Sequence, residues 1–538
     1  MKIEEQIKQI IVDAFSKNNF VLDSEVELTL SKDKTHGDFA SNVCLKNAKK
    51  FGMKPFELGK IIAESIQNPI INKVEMVMPG FLNFFVNNSA ISTIINKVLT
   101  EKDNYGDGEK KNITLNIEYV SANPTGDLHL GHARGAAIGD SISRIMKKAG
   151  YNVIREFYVN DAGAQMMNLA KSLKSRYFGL FGQEYPMPQD GYEGQDVRDI
   201  AATLKEEFGD KYLNLDDSNL EFFKKYGMDK ELDKLKADLK EFRVEFDVFS
   251  FETTVRSNNA VEKLIASLGD NVYEEEGATY LRTSNYLDDK DRVIIKSNGD
   301  YTYFLPDIVY HLDKYSRSAD FLIDVLGADH HGYINRMKSA LMMNGLKEDT
   351  LSVELIQMVR IIKDGEEVKM SKRTGNAIKM RDLVSLVGID SCRYFFVSRA
   401  ASSHLDFDLD VAMSQSSSNP VFYAQYAHAR IRSVLNASTI SENDKYDLLT
   451  EEIECSLMKC LSEYDKIIVD AAIERAPYRI CNYVQKLAGN VHEFYTKCRV
   501  LDNSNPDLTG ARLSLIRACS IVLKNALSLV GVEAPEKM

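Results

Sequence analysis

Ser121-Ala-Asn-Pro-Thr-Gly-Asp-Leu-His-Leu-Gly-His132 is the stretch on which the reading of this chain turns. Just before it, Ile113, Leu115, Ile117 and Tyr119 alternate with Thr114, Asn116 and Glu118, the period of a strand. Just after it, Gly131 to Lys148 carries helical spacing and stops at Gly150. Tyr151 to Val159 then reads as a second strand, and strand, helix, strand predicts a parallel sheet. His129 and His132 therefore fall at a strand-to-helix junction, where open parallel sheets gather their ligands. A helix N-terminus there offers free N–H groups and a positive dipole, both suited to phosphate. Positions i and i+3 put the two imidazoles on one side of the first turn, and Gly131 between them leaves room for a nucleotide. Taken alone, the pair also fits two polar histidines in a turn.

About 240 residues later stands Lys369-Met-Ser-Lys-Arg-Thr-Gly375, after Lys363-Asp-Gly-Glu366, which reads as a hairpin turn. Three cations lie within five residues, beside a glycine that permits movement. A short basic run is usually a solvated loop. Paired with the histidine motif, it also meets what pyrophosphate departure needs, charge placed where negative charge grows in the transition state.

The remaining sequence is that of a multidomain globular protein. Its 538 residues exceed one core, and 44% apolar with 27% charged residues is an ordinary balance. No apolar run reaches the roughly 18 to 20 residues of a membrane span, and the charged start Met1-Lys-Ile-Glu-Glu-Gln predicts a cytoplasmic protein. Seven scattered cysteines without a Cys-x-x-Cys pair favour reduced thiols over structural zinc. The net charge of −12 means that any nucleic-acid partner must meet local basic patches.

Residues 1–105 read as a small α+β domain. A strand is expected over Val21 to Leu30, a helix opening in His36-Gly-Asp-Phe-Ala-Ser-Asn42 and running through Ala48, and strand formers over Met76 to Val86. Lys102 to Glu109 reads as a polar linker. Residues 106–400 hold the sheet, with a charged helical insertion at about 170–290. The sheet is expected to resume at Arg292-Val-Ile-Ile-Lys296, Tyr301-Thr-Tyr-Phe-Leu305 and Asp320 to Leu326. Residues 401–538 read as all-α.

These motifs resemble those of class I aminoacyl-tRNA synthetases, and more narrowly of arginyl-tRNA synthetases. His36-Gly-Asp-Phe-Ala, Tyr158-Val-Asn-Asp-Ala-Gly163, Gly327-Ala-Asp-His330, Asn419-Pro-Val-Phe-Tyr-Ala-Gln-Tyr-Ala-His-Ala-Arg430 and Ala534-Pro-Glu-Lys-Met538 carry the likeness nearly end to end. The resemblance implies an α/β catalytic domain with a Rossmann-like parallel sheet, a small α+β N-terminal domain that meets tRNA, and an all-α C-terminal anticodon-binding domain. It implies ATP-dependent ligation of L-arginine to tRNA through an arginyl-adenylate, with Mg²⁺ accompanying ATP as substrate and no structural zinc. A monomer is expected.

A guanidinium presents five donors in a rigid fork and so calls for carboxylates and planar acceptors. The resemblance assigns Asn123 to the α-amino end of arginine with Glu118 close by, and Tyr303 and Asp307 to the guanidinium. Asp307 equally suits a helix N-cap after Pro306, and Tyr303 a sheet-packing aromatic. Asp329 and His330 would meet ribose or arginine, the neighbouring His331 leaving their roles open. His129, His132, Lys369 and Lys372 would stabilise the transition state, with Gly131, Met370 and Ser371 completing the ATP site. Phe81 and Asn83, at i and i+2 of one strand, would stack on and hydrogen-bond an unpaired base; one buried strand aromatic fits equally. Tyr423 and Arg430 would face tRNA, or pack the C-terminal helices on the sheet.

Three other readings compete. A cysteinyl enzyme of the same fold needs thiolate ligands for a catalytic zinc, and residues 100 to 390 contain no cysteine. A non-catalytic tRNA-binding relative would tolerate a damaged phosphate site, whereas both motifs are intact. A small-molecule nucleotidyltransferase would not need the flanking domains.

Overall fold

A computed structural model describes all residues except 1–2, 32–33, 258, 318 and 369–377. The central sheet has five strands, β1 (Thr114–Tyr119), β2 (Asn152–Val159), β3 (Val248–Phe251), β4 (Phe321–Gly327) and β5 (Leu351–Ile356), in the order β5-β4-β1-β2-β3. All four pairings are parallel. Helix α1 (Leu130–Lys148) links β1 to β2 as expected, and α2 (Phe304–Ser316) precedes β4. Strand β1 is buried on both faces from Leu115 to Tyr119 because it lies mid-sheet. Its alternating polar residues therefore point into a covered layer, and what they meet there decides the chemistry.

Two expectations about the sheet need correction. The helical insertion is interrupted, since β3 lies inside 170–290 and supplies the edge strand. The helices Ala164–Gly179, Gln195–Phe208 and Leu220–Glu241 share a separate apolar core around Leu173, Phe178 and Phe223. Arg292–Ile295 belongs to a different, antiparallel sheet with Val272–Glu275 and Ala278–Leu281. Tyr301 to Leu305 is no strand: Tyr301 makes one bridge to Ile295, and α2 begins at Phe304. Pro306 is compatible with that start, because first-turn N–H groups have no intrahelical acceptor to lose.

The N-terminal region is a four-stranded antiparallel sheet, Thr29–Leu30, Phe39–Ser41, Phe81–Val86 and Ile71–Val77, with helices beside it. Of the strand expected over 21–30 only the last two residues pair. The helix expected from His36 is preceded by a strand and spans only Val43–Asn47. Pro79-Gly80 splits the run at 76–86, so Met76 and Val77 end one strand and Phe81 begins the next. The polar linker carries a plug: Tyr105 is fully buried, stacks on Tyr464 and donates its hydroxyl to the Leu461 carbonyl at 2.7 Å.

The hairpin at 363–366 forms as expected. Lys363 pairs with Glu366 across Asp364 (φ 52°) and Gly365 (φ 78°), the two left-handed residues of a type I′ turn. Leu405–Asp408 runs parallel to Val359–Lys363. Four long helices follow: Pro420–Ala437, Glu452–Ile473, Tyr478–Lys497 and Pro506–Leu529. All seven cysteines are free thiols, six of them buried.

Candidate active site

The carboxyl ends of β1 and β4 and the first turn of α1 open on a cleft of about 1200 Å³. The chain leaves β1 through two left-handed residues, Val120 (φ 70°) and Ser121 (φ 39°). A β-branched residue there is strained, and such strain persists where surrounding contacts impose it. The contacts are visible: Ser121 Oγ donates to Glu118 Oε1 at 2.8 Å and accepts from Tyr158 N at 3.1 Å. The turn redirects the motif across the sheet end and sets His129 as the N-cap of α1.

His129 Nδ1 accepts from the N–H groups of Gly131 (3.1 Å) and His132 (3.4 Å), while the His129 N–H donates to His132 Nδ1 at 3.4 Å. It is a capping box built from two imidazoles instead of a hydroxyl and a carboxylate. Both Nδ1 atoms act as acceptors, so each ring is neutral and carries its proton on Nε2. The rings stack with centroids 3.6 Å apart. Loss of hydration lowers both pKa values, His132 to about 4 with its neighbour adding to the effect. The pair is thus two neutral N–H donors at a helix N-terminus.

Beneath the cleft, register places Asp324, Glu118 and Glu156 side by side on β4, β1 and β2. Three acids in one row of a buried sheet need cations, and α2 brings them at three-residue spacing. His311 Nε2 lies 2.7 Å from Asp324 Oδ2. Lys314 Nζ donates to Asp324 Oδ1 (2.8 Å) and Glu118 Oε2 (2.6 Å). Arg317, just past the helix end, donates to Glu156 Oε1 at 2.6 Å. Burial alone would neutralise these groups. It works to lower the pKa of His311, as does Lys314, yet Asp324 and the hydrogen bonds to Asp307 and Asp324 push it up to about 10. Asp324 is held well below the usual carboxylate range despite its burial, by Lys314 and His311.

Asp307 lies one turn before His311 on α2, at the cleft wall. Its side chain makes no cap, and Tyr303 occupies the N-cap position. The Tyr333 hydroxyl donates to Asp307 Oδ2. Tyr303 is 85% exposed at the rim, so the sheet-packing alternative falls away. Asp329 and His330 follow β4 in a 3-10 turn, both open to the cleft and 3.7 Å apart.

Of the residues singled out from sequence, Glu118, His129, Gly131, His132, Tyr303, Asp307, Asp329 and His330 line this one cleft. Asn123 does not: it is exposed and its amide donates to Gln165 Oε1 at 2.9 Å. Lys369, Met370, Ser371 and Lys372 lie outside the described residues. The chain just past them is stitched to the histidine motif, with Met380 N donating to the Leu128 carbonyl at 2.7 Å and Lys379 paired to Asp127 at 2.5 Å. Phe81 is 39% exposed and Asn83 is buried. Tyr423 is half-buried against His492, and Arg430 lies over the Tyr495 ring. Sequence reasoning missed His311, Asp324, Tyr333 and Arg336, which also line the cleft. The only signal was the spacing His311, Lys314, Arg317 and an aspartate inside an apolar strand.

Comparison with known proteins places the chain in a family. Residues 1–86 match the family model for the arginyl tRNA synthetase N terminal domain. Residues 94–394 match the catalytic domain of class I (R) tRNA synthetases, and 424–538 the DALR anticodon binding domain. The arginine–tRNA ligase of Shouchella clausii is 48% identical over 99% of both chains. That of Bacillus subtilis is 46% identical over the full length of both. The solved arginyl-tRNA synthetase of Thermus thermophilus shares the fold with a TM-score of 0.75 over both whole chains at 20% identity.

Proposed function

The chain belongs to the arginyl-tRNA synthetase family of class I, and from that premise we propose how its cleft joins L-arginine to tRNA using ATP. One observation carries the reading: a neutral histidine pair at a helix N-terminus and a carboxylate backed by buried cations face the same cleft. The first suits phosphate and the second a guanidinium.

Arginine lies with its guanidinium at Asp307 and Tyr303, and its carboxylate toward His129 and His132. Glu118 contributes from the floor, where Lys314 and Ser121 already hold it. Asn123 accepts from the α-amino group through Oδ1 while its amide nitrogen stays on Gln165, and His330 lies beside it. The arginine carboxylate attacks the α-phosphorus of ATP, which enters as its Mg²⁺ complex, and pyrophosphate leaves. The two Nε2–H groups, the backbone at Gly131, and Lys369 and Lys372 stabilise the charge that develops, while Met370, Ser371 and Asp329 hold the nucleotide. A hydroxyl of the terminal tRNA adenosine then attacks the adenylate carbonyl and AMP leaves. No protein nucleophile takes part; positioning and electrostatics supply the catalysis.

Residues 1–105 and 401–538 hold tRNA, with Phe81 and Asn83 in the first and Tyr423 and Arg430 in the second. The protein works as a monomer in the cytoplasm. Among the described residues no helix is long and apolar enough to cross a membrane. The test is charging of tRNA by the purified protein with each amino acid in turn. Arginine alone is expected to be joined to tRNA. Tight tRNA binding without charging would favour the non-catalytic reading instead.

A further inference from the structure

Asp307 is 35% exposed, and on its cleft side the Tyr333 hydroxyl donates to its carboxylate. Behind it the chain of contacts is closed. His311 Nδ1 lies 2.7 Å from the Asp307 carbonyl and 3.5 Å from Asp307 Oδ1, while Nε2 lies 2.7 Å from Asp324 Oδ2. Each ring nitrogen faces acceptors only, so each carries hydrogen and the ring is an imidazolium held at both ends. Asp324 is in turn pinned by Lys314, which also holds Glu118. His311, Lys314 and Asp324 are each at most 3% exposed.

Apolar residues would join α2 to the sheet without the desolvation that buried ions carry. What they would not do is fix an orientation. Three ion pairs and the imidazole contact to Asp324 lock the rotation of α2 above the row of acids, and with it the direction of Asp307. A guanidinium is a planar fork that a carboxylate meets well only in plane.

We infer that His311 is a positioning residue for arginine recognition: anchored to the sheet through Asp324, it holds Asp307 in the orientation that the guanidinium meets. The inference rests on the assignment of Asp307 to the guanidinium.

Two isosteric variants separate this role from packing. His311→Asn places an amide nitrogen near Nδ1 and keeps the donor to Asp307. His311→Gln places it near Nε2 and keeps only the donor to Asp324. Both remove the charge. In tRNA charging by the full chain, His311→Gln should raise the KM for arginine about tenfold, equal to about 1.4 kcal/mol, with the KM for ATP and kcat within about twofold. The two links act in series, so His311→Asn, which keeps the donor to Asp307 but loses the anchor at Asp324, should raise the arginine KM by a similar factor. Joint loss of arginine, ATP and kcat terms tracking a lowered melting temperature would make His311 a packing residue and overturn the inference. So would an unchanged arginine KM in both. Asp307→Asn is the control. If it leaves the arginine KM unchanged, the assignment of Asp307 fails and the inference with it. If it raises the KM while His311→Gln does not, only the inference fails.

Discussion

His129 does two jobs with one ring: Nδ1 caps α1 and Nε2 is left to donate into the cleft. Asparagine is a good N-cap without an imidazole N–H. His129→Asn should therefore keep the unfolding midpoint while turnover falls by on the order of 10² to 10³, the usual loss for one transition-state donor. A rise in the arginine KM with turnover unchanged would contradict that role. The buried histidine has the opposite electrostatics. Its pKa of about 10 stands above the unfolded value near 6.5, so its stabilisation is complete below about pH 6.5 and is lost as pH rises through about 10. Urea midpoints measured across that range should decline less steeply in His311→Gln than in the unsubstituted protein. For His132 the sign reverses. Its value of about 4 lies below the unfolded one, so stability drains as pH falls from about 6.5 toward 4. At this scale the sequence was legible wherever partners are near neighbours in the chain. His129 and His132 are three residues apart, and their pairing follows from helix geometry. Asp324 and Glu118 meet only because β4 and β1 are adjacent, and nothing local announces that.

Helix α1 must lie close to β1 for its N-terminus to reach the cleft, and Gly139 allows it. A Cβ there would come 2.3 Å from Tyr119 Cγ. Gly139→Ala should lower stability by about 1 to 3 kcal/mol through overpacking, read as a shifted urea midpoint. An unchanged midpoint would mean the ring has room to move. Long periodic elements such as α1, β1 and β2 were legible from their patterns. Short ones were not. Val248-Phe-Ser-Phe251 is four residues in a charged helical stretch, too brief for a period to register. Tyr301 to Leu305 looked like a strand because aromatic runs favour strands. Pro306, tolerated in a first helical turn, pointed the other way. That misreading put Tyr303 on a strand and Asp307 beyond its end, when they stand one helical turn apart on the element that also brings His311 and Lys314.

The C-terminal helices meet the catalytic domain at a buried guanidinium. Arg393 is fully buried, pairs with Asp140 on α1 and donates to the carbonyls of Phe242 (2.8 Å) and Val530 (3.0 Å). Gly531 gives it room, since a Cβ there would fall 2.1 Å from its Nε. Asp140→Ala would leave that guanidinium buried without a carboxylate, and stability should fall by about 3 to 5 kcal/mol in denaturant unfolding. A loss below about 1 kcal/mol would place the fastening in the carbonyl contacts instead. Domain order was legible because each region carries a recognisable motif. The interlock was not, because Arg393 and Val530 are 137 residues apart. For the molecule as a whole, the central claim is that one cleft divides its labour, with phosphate at the histidines and guanidinium at Asp307. The most direct test is the pair of Michaelis constants of Asp307→Asn in tRNA charging. The account predicts an arginine KM raised by on the order of 10²-fold, with the ATP KM within about twofold of the unsubstituted value. Equal rises in both constants, or no rise in the arginine KM, would contradict it.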